Sequence, residues 1–87
     1  MIAVYFTPSF LRQLKSLPQD IQEEAIEKVE LFKDRRNHRS LKVHDLAGRL
    51  KGRQSFSVNY RIRIVFRTLS ASEVVLMAIG DHDVYRN

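Results

Sequence analysis

The sequence contains no cysteine, which excludes a disulfide framework and a zinc site built from thiolates. No apolar run is long enough to span a bilayer, and the N-terminus lacks the charged and then apolar pattern of a signal peptide. There is no GxSxG motif for a serine nucleophile, and no pair of carboxylates has a spacing that favours metal-assisted hydrolysis. We therefore expect no membrane association, no metal and no cofactor, and a cytoplasmic location is consistent with these absences.

Acidic residues are scarce in the middle of the chain. Between Arg35 and Arg67 lie ten Lys or Arg residues and a single acid, Asp45, which gives this basic segment a formal charge of +9. Six of the ten acids lie instead between Asp20 and Asp34. This segregation predicts one acidic face and one face that binds a polyanion, with nucleic acid as the first candidate. A membrane surface is less favoured, because the basic residues lie in predicted loops and strands rather than on an amphipathic helix.

The length of 87 residues allows one small domain with one core, and 44% of the residues are hydrophobic, which is enough to pack it. The N-terminal part predicts a strand from Ile2 to Phe6. Thr7 can then cap a helix whose first position is Pro8, and Pro18 ends this helix and opens the next. The second helix has an apolar stripe, widened by Ile26, that consists of Ile21, Ala25, Val29 and Phe32. Two antiparallel helices in a hairpin are expected.

The stretch from Leu50 to Arg67 predicts a pair of strands that carry both core side chains and candidate binding residues. From Tyr60 onward, apolar and basic side chains alternate, as in a strand with one face on a core. The core side carries Tyr60, Ile62, Ile64 and Phe66. The other side carries Arg61, Arg63, Val65 and Arg67. Arginines fixed on an open strand face could bind phosphate oxygens in a planar fork, although a solvated sheet face is the alternative interpretation.

The C-terminal part predicts an inner strand followed by a short tail. The nearly unbroken apolar run from Glu73 to Ile79 indicates a central strand covered on both faces. Gly80 ends the strand, and Asp81 to Asn87 is expected to form a short polar tail with a turn or short helix. The resulting order is β-α-α-β-β-β. We therefore expect residues 1–87 to form a single α+β domain, with a two-helix hairpin packed on a mainly antiparallel four-stranded sheet.

Histidine, tyrosine and arginine side chains supply the candidate chemistry. His82 directly follows the last strand, and a histidine can take and give protons at cellular pH. Tyr85 adds a phenol or a stacking platform, and arginines could stabilise the charge on a phosphate. This set of groups suits attack of an RNA 2′-hydroxyl on its own phosphodiester, a route that DNA lacks. The alternative interpretation, which the residues favour equally, is that Asp81 caps a C-terminal turn and that His82 is an exposed residue of this turn without a catalytic role.

Taken together, the chain resembles the RelE/ParE superfamily of toxins from type II toxin–antitoxin systems, and RelE- and YafQ-like members in particular. The resemblance covers nearly the whole length, and its most distinctive parts are His44 to Gly52, Ser55 to Phe66 and Ile79 to Tyr85. It implies a RelE-like fold and a ribosome-dependent, metal-independent endoribonuclease (an mRNA interferase) that inhibits translation. The implied partners are a cognate antitoxin and mRNA on the ribosome.

The resemblance also implies roles for individual residues. Arg61 matches the RelE-type arginine of the strand motif, His82 the YafQ-type histidine after glycine, and Tyr85 the aromatic residue that closes the motif. These three are the implied catalytic residues. His44 matches the histidine before the Leu-x-Gly turn, at the rim of the implied site. The residues expected to bind flanking RNA are Lys42, His44, Lys51, Arg53, Arg63 and Arg67.

Departures from the family pattern keep a second function open. Ser57 stands where YafQ-like enzymes carry another histidine, Arg61 stands where they carry an aspartate, and Ala78 replaces an arginine. The paired lysines of RelE are not reproduced either. The alternative is a ParE-like toxin that binds and inhibits DNA gyrase and cuts nothing, because it shares the same fold.

Overall fold

The computed structural model describes residues 1–85, in which the elements follow the predicted order with one addition. The first elements are β1 at Ala3–Phe6, α1 at Pro8–Lys15 and α2 at Gln19–Phe32. The remaining strands are β2 at His44–Asp45, β3 at Gln54–Ser57, β4 at Arg63–Ser70 and β5 at Glu73–Gly80. Short 3₁₀ turns form at Arg35–Asn37, Gly48–Leu50 and His82–Tyr85. The predicted tail extends to Asn87, and its last two residues lie outside the described residues.

The strands form one mixed sheet in the order β1-β5-β4-β3-β2. β1 runs parallel to β5, and the other neighbouring strands are antiparallel. The α+β class is confirmed, but the sheet has five strands rather than the predicted four. The additional strand is β2, where His44 lies opposite Ser55 of β3. A two-residue strand is too short to leave a period-two pattern in the sequence.

Local chemistry explains where the two helices begin. Thr7 caps α1, because its side-chain oxygen accepts a hydrogen bond from the backbone N–H of Phe10 at 3.1 Å. Pro8 occupies the first helical position, as predicted. Pro18 precedes α2 as its N-cap residue. Among residues 1–85, neither helix is long and apolar enough to cross a membrane.

The helices pack on one face of the sheet around an aromatic centre. Phe32 of α2 stacks on Phe56 of β3 with ring centroids 4.4 Å apart and meets Phe66 of β4 edge-on at 4.9 Å. Burying rings of this size contributes roughly 1.5–3 kcal/mol each to stability. Ile26, predicted to widen the apolar stripe of α2, is instead 55% exposed. The stripe that reaches the core is narrower and consists of the buried Ala25, Val29 and Phe32, with Ile21 partly buried against the core.

The strand predicted to run from Tyr60 begins later, at Arg63. The cause is Asn59, whose Oδ1 accepts hydrogen bonds from the backbone N–H groups of both Arg61 and Ile62 at 2.8 Å. Asparagine side chains of this kind offer the backbone a turn in place of strand pairing. Arg61 therefore lies in a turn and not on a strand, contrary to the prediction.

The predicted alternation of buried and open side chains holds only from Ile62 onward. On the core side, Ile62, Ile64 and Phe66 are buried. Tyr60 was expected in the core but is 86% exposed. Val65, expected on the open face with the arginines, is buried. The cause is the C-terminal 3₁₀ turn, which packs against β4 and β5.

β5 lies between β1 and β4, so the prediction of an inner strand is confirmed. The side chains of β5 are fully buried on one face only, whereas the prediction was that both faces would be buried. The side chains toward the helices are buried, namely Val74, Leu76 and Ile79. The remaining apolar side chains of the strand are half-buried, namely Val75, Met77 and Ala78. The partly open face is where the C-terminal turn packs.

Candidate functional site

Two of the predicted catalytic residues lie together at one end of the sheet. Arg61 is in the turn before β4, and His82 opens the 3₁₀ turn after β5. Both line a shallow pocket of about 300 Å³, together with Tyr60, Asp81 and Asp83. All five residues are exposed. We call this the Arg61–His82 pocket; it brings a cation, an imidazole and an aromatic ring to one surface.

Asn59 holds the turn that carries Arg61. Besides its two bonds to the turn backbone, its Nδ2 donates to Oε1 of Glu24 on α2 at 2.7 Å. Its carbonyl oxygen accepts from the guanidinium of Arg63 at 2.5 Å. The turn is thereby tied to both α2 and β4, which restricts the position of Arg61. Asn59 is a site residue that the alternating pattern did not indicate; its signal in the sequence is an asparagine, a residue that favours turns, directly before Tyr60.

The C-terminal turn is fixed on the sheet face opposite the helices. The hydroxyl of Tyr85 lies 2.9 Å from Oγ of Ser55, which is fully buried. The Tyr85 ring also meets the His82 ring edge-on, with centroids 5.8 Å apart. Val84 packs against Gly80 so closely that a Cβ added at Gly80 would lie 2.8 Å from Val84 Cγ1. Tyr85 therefore contacts His82, while its hydroxyl binds Ser55 and the residue itself does not line the Arg61–His82 pocket.

The residues predicted to bind flanking RNA lie outside the Arg61–His82 pocket and on several elements. The exposed ones are Lys42, His44, Lys51 and Arg67. On β2, Nδ1 of His44 donates to the carbonyl oxygen of Lys42 at 2.8 Å, which leaves Nε2 as the nitrogen without the proton in the neutral ring. Arg53 is half-buried and borders a separate depression of about 250 Å³ with Val65 and Val84.

One guanidinium nitrogen of Arg63 has structural partners. Its Nη1 donates to the carbonyl oxygen of Asn59 and lies 3.3 Å from that of Ile62. The side chain therefore closes the turn before β4. Arg67, two pleats further along the same strand, is exposed.

The predicted basic segment is divided between two ends of the molecule. Arg36 forms an ion pair with Asp34, with Nη2 and Oδ2 2.7 Å apart, and this hydrogen bond lowers the pKa of Asp34 to about 2. The guanidinium of Arg35 donates to the carbonyl oxygen of Ala71, which precedes β5. Since β5 has eight residues, that end lies roughly 25 Å from the Arg61–His82 pocket. The two arginines are therefore not part of one continuous basic face with the pocket.

The groups around the Arg61–His82 pocket are those that phosphodiester chemistry uses. An imidazole can move protons near neutral pH, a guanidinium binds phosphate oxygens in a planar fork, and an exposed ring such as that of Tyr60 can stack on a base. Among residues 1–85, no three His, Cys, Asp or Glu side chains are grouped so that they could hold a metal ion.

The element order, the mixed sheet and the helices on one of its faces define the RelE-like toxin fold, so the predicted resemblance is confirmed at the level of the fold. The chain is similar to a chain of the RelBE2 toxin–antitoxin complex from Mycobacterium tuberculosis, with 22% identity, 93% of this chain and 98% of that chain covered, and a TM-score of 0.73. YafQ from E. coli strain BL21(DE3) gives 11% identity, full coverage of both chains and a TM-score of 0.70.

A chain of the YoeB–YefM complex from Staphylococcus aureus gives 15% identity, 94% and 98% coverage, and a TM-score of 0.71. No family model matches the sequence, and no curated protein matches it. Identities this low establish the fold alone. Function must be argued from the residues of the site, because one fold supports several activities.

Proposed function

We propose that this protein is the toxin of a type II toxin–antitoxin system and cleaves mRNA on the ribosome without a metal. The observation that carries the proposal is that Arg61 and His82, twenty-one positions apart in the sequence, line one exposed pocket beside the ring of Tyr60. The RelE-like fold supports it, since solved structures with this fold include toxins and toxin–antitoxin complexes.

The chemistry is transfer of a phosphoryl group within the RNA. The 2′-hydroxyl oxygen attacks the adjacent phosphorus, the bond to the 5′-oxygen of the next nucleotide breaks, and the products are a 2′,3′-cyclic phosphate and a 5′-hydroxyl. One proton leaves the 2′-hydroxyl and one reaches the departing oxygen, and His82 moves one of these protons. Arg61 binds the phosphate and stabilises the charge that grows on its oxygens. Only RNA supplies this nucleophile.

Tyr85 acts in this proposal as a positioning residue. Its ring supports the imidazole of His82, and its hydroxyl anchors the C-terminal turn to Ser55. Flanking RNA phosphates are bound by the exposed basic residues around the sheet, which are Lys42, His44, Lys51 and Arg67, with Arg53 beside them. Arg63, predicted for the same role, also holds the turn that carries Arg61 through its Nη1.

The partner implied by this function is a cognate antitoxin that covers the basic surface around the pocket. We expect its binding segment to carry acidic residues, because charge complementarity sets specificity and the rate of encounter. Replacing those acids by amides should slow association, and more so at low salt. An association rate that does not respond to the replacement would show that masking does not depend on charge.

The direct test is cleavage of a message on programmed ribosomes, with the cut sites mapped by primer extension. His82→Gln should lower the cleavage rate at least about a hundredfold, the usual effect of losing an acid–base group, while the melting temperature stays unchanged because His82 is exposed. Arg61→Gln should have a comparable effect. Its matched control is Arg12→Gln, which removes the same charge from an exposed position on α1 outside the pocket.

Cleavage by His82→Gln at the wild-type rate would remove His82 from the mechanism. The ParE-like alternative predicts a different phenotype on induction in cells. Rapid arrest of protein synthesis supports the nuclease, whereas DNA damage signalling with filamentation, and intact messages, supports gyrase inhibition.

A further inference from the structure

A second depression, which we call the apolar groove, lies directly beside the Arg61–His82 pocket. It has a volume of about 590 Å³ and is bounded by the end of α1, the start of α2, the turn before β4 and the end of β5. Its apolar lining consists of Leu17, Pro18, Ile21, Ile62 and Ile79. Tyr60, Arg61 and Asp81 line both the groove and the pocket. The two depressions are therefore continuous across these three residues.

The groove also has a small number of oriented polar groups. Oε1 of Gln13 accepts the backbone N–H of Ile79 at 3.0 Å, which fixes the direction of that amide. Within residues 1–85, the Nε2 group of Gln13 makes no hydrogen bond, so its two N–H donors are open to a ligand. At the other wall, Oδ1 of Asp81 accepts the backbone N–H of Asp83, and the second carboxylate oxygen remains an acceptor on the shared border. A donor and an acceptor thus flank a mainly apolar surface.

We propose that the apolar groove binds the base of the nucleotide adjacent to the scissile phosphate in single-stranded RNA. This inference rests on the proposed function and names the part of the substrate that lies next to the reacting phosphate. A groove of several hundred Å³ with an apolar lining and few polar groups is typical of sites for small flat ligands. The Gln13 amide and the Asp81 carboxylate can hydrogen-bond the edge of a base, as proteins do with unpaired RNA.

The apolar groove is continuous with the pocket in which Arg61 would bind phosphate, and this favours a nucleotide as its ligand over an apolar side chain of a partner protein. Arg61 stands on the border between the groove and the pocket, so a phosphate held there places the attached sugar and base within reach of the groove. Tyr60 stands on the same border with 86% of its surface exposed, and its ring has no aromatic contact among the described residues. Exposed aromatic side chains of this kind stack on bases in single-stranded RNA sites.

Filling the groove tests the inference. Ser16 lines the groove, is exposed and has an ordinary right-handed backbone conformation (φ −80°, ψ −10°), so it accepts a large side chain without strain. Ser16→Trp should lower the rate of mRNA cleavage on the ribosome at least about tenfold or move the cut sites to other bases. Gln19→Trp is the matched control: it adds the same ring at an exposed position on the first turn of α2 that does not line the groove.

A second pair of variants keeps the test valid if Ser16→Trp folds poorly. Tyr60→Ala removes the exposed ring, and Tyr60→Phe retains it, so the Phe variant should cleave at least about tenfold faster than the Ala variant. Wild-type rates and cut sites in both Ser16→Trp and Tyr60→Ala, with His82→Gln inactive, would overturn the base site and leave the nuclease function intact. Loss of antitoxin binding with unchanged cleavage would assign the groove to the protein partner instead. Absence of cleavage by the wild-type protein would overturn both proposals.

Discussion

Asn59 shows how a single side chain decides where a candidate catalytic residue lies. Its Oδ1 accepts hydrogen bonds from the backbone N–H groups of Arg61 and Ile62, and its Nδ2 donates to the carboxylate of Glu24, so one residue connects the turn to α2. Arg63 pairs with Gly80 in the antiparallel register of β4 and β5, so the residues just before β4 lie beside those just after β5. The side-chain hydrogen bonds of Asn59 fix the turn in which Arg61 lines the pocket that it shares with His82.

Replacing Asn59 should weaken both the turn and the site. Asn59→Ala removes three side-chain hydrogen bonds in a half-buried position, and we expect a loss of about 1–2 kcal/mol in the free energy of unfolding. Cleavage should slow at least about tenfold through misplacement of Arg61. Urea unfolding and single-turnover cleavage measure the two effects. Glu24→Gln keeps an acceptor for the Asn59 amide and should change stability by less than about 0.5 kcal/mol.

An Asn59→Ala variant that is destabilised but cleaves at the full rate would show that the turn does not position Arg61. The opposite result, slow cleavage with unchanged stability, would mean that Asn59 acts at the substrate.

Among the elements, the C-terminal 3₁₀ turn at His82–Tyr85 is the one on which the site depends most. The contacts that attach it to the sheet include the hydrogen bond between Tyr85 and Ser55 and the packing of Val84 against Gly80. Gly80 is required here for space, since a β-carbon would meet a β-branched side chain that has little freedom to move. Because His82 is in the same turn, the packing at Gly80 also fixes the imidazole.

Adding one carbon at Gly80 should displace this turn. We expect Gly80→Ala to lower cleavage at least about tenfold, with a modest loss of stability of about 1–3 kcal/mol from overpacking. Gly80→Ala/Val84→Ala removes the methyl group that the new β-carbon would meet, so the double variant should recover part of the activity lost by Gly80→Ala. Single-turnover cleavage and thermal unfolding of both variants give the comparison. Equal activity in the single and double variants would show that this contact does not place His82.

Much of the element order follows from the sequence, because its determinants are local. A threonine before a proline, a second proline between two apolar stripes and an unbroken apolar run each specify an element through nearby residues alone. β2 and the start of β4 could not be predicted in this way. The two-residue β2 exists because His44 lies opposite Ser55 across the sheet, and β4 is shortened by the hydrogen bonds of Asn59.

The candidate site was predictable as a set of residue types but not as a geometry. Arg61, His82 and Tyr85 stood out by their chemistry and their resemblance to a family pattern. The membership of Tyr60 in the pocket and the role of Ser55 as the partner of Tyr85 depend on the three-dimensional structure. Tyr60 was assigned to the core because its place in an alternating pattern outweighed the turn preference of the asparagine before it.

For the molecule as a whole, the important electrostatic feature is the separation of Arg35 and Arg36 from the Arg61–His82 pocket. Arg36 is paired with Asp34, and Arg35 binds the carbonyl oxygen of Ala71. The cations available to RNA near the pocket are therefore fewer than the charge of the basic segment indicates. The salt dependence of binding reports how many of them contact phosphates.

Neutralising exposed lysines should lower that salt dependence by a measurable step. For single-stranded RNA, each lost phosphate contact reduces the slope of log K against log salt concentration by about 0.7. Lys42→Gln and Lys51→Gln should each produce this change, measured by fluorescence anisotropy with a labelled RNA oligonucleotide carrying a 2′-O-methyl group at the cut site. Lys28→Gln on the acidic helix α2 should leave the slope unchanged. Slopes unaltered by both test variants would place RNA elsewhere on the surface.

The parallel pairing of β1 with β5 has a consequence for the time at which the fold is completed. Ala3 lies opposite Glu73, so the opening strand finds its place in the sheet only after about seventy further residues have been synthesised. Until then α1 lacks the strand against which it packs, and the segment bearing His82 does not exist. On the proposed function, the ribosome that translates this chain is therefore not exposed to an active product until β5 and the turn after it have been synthesised.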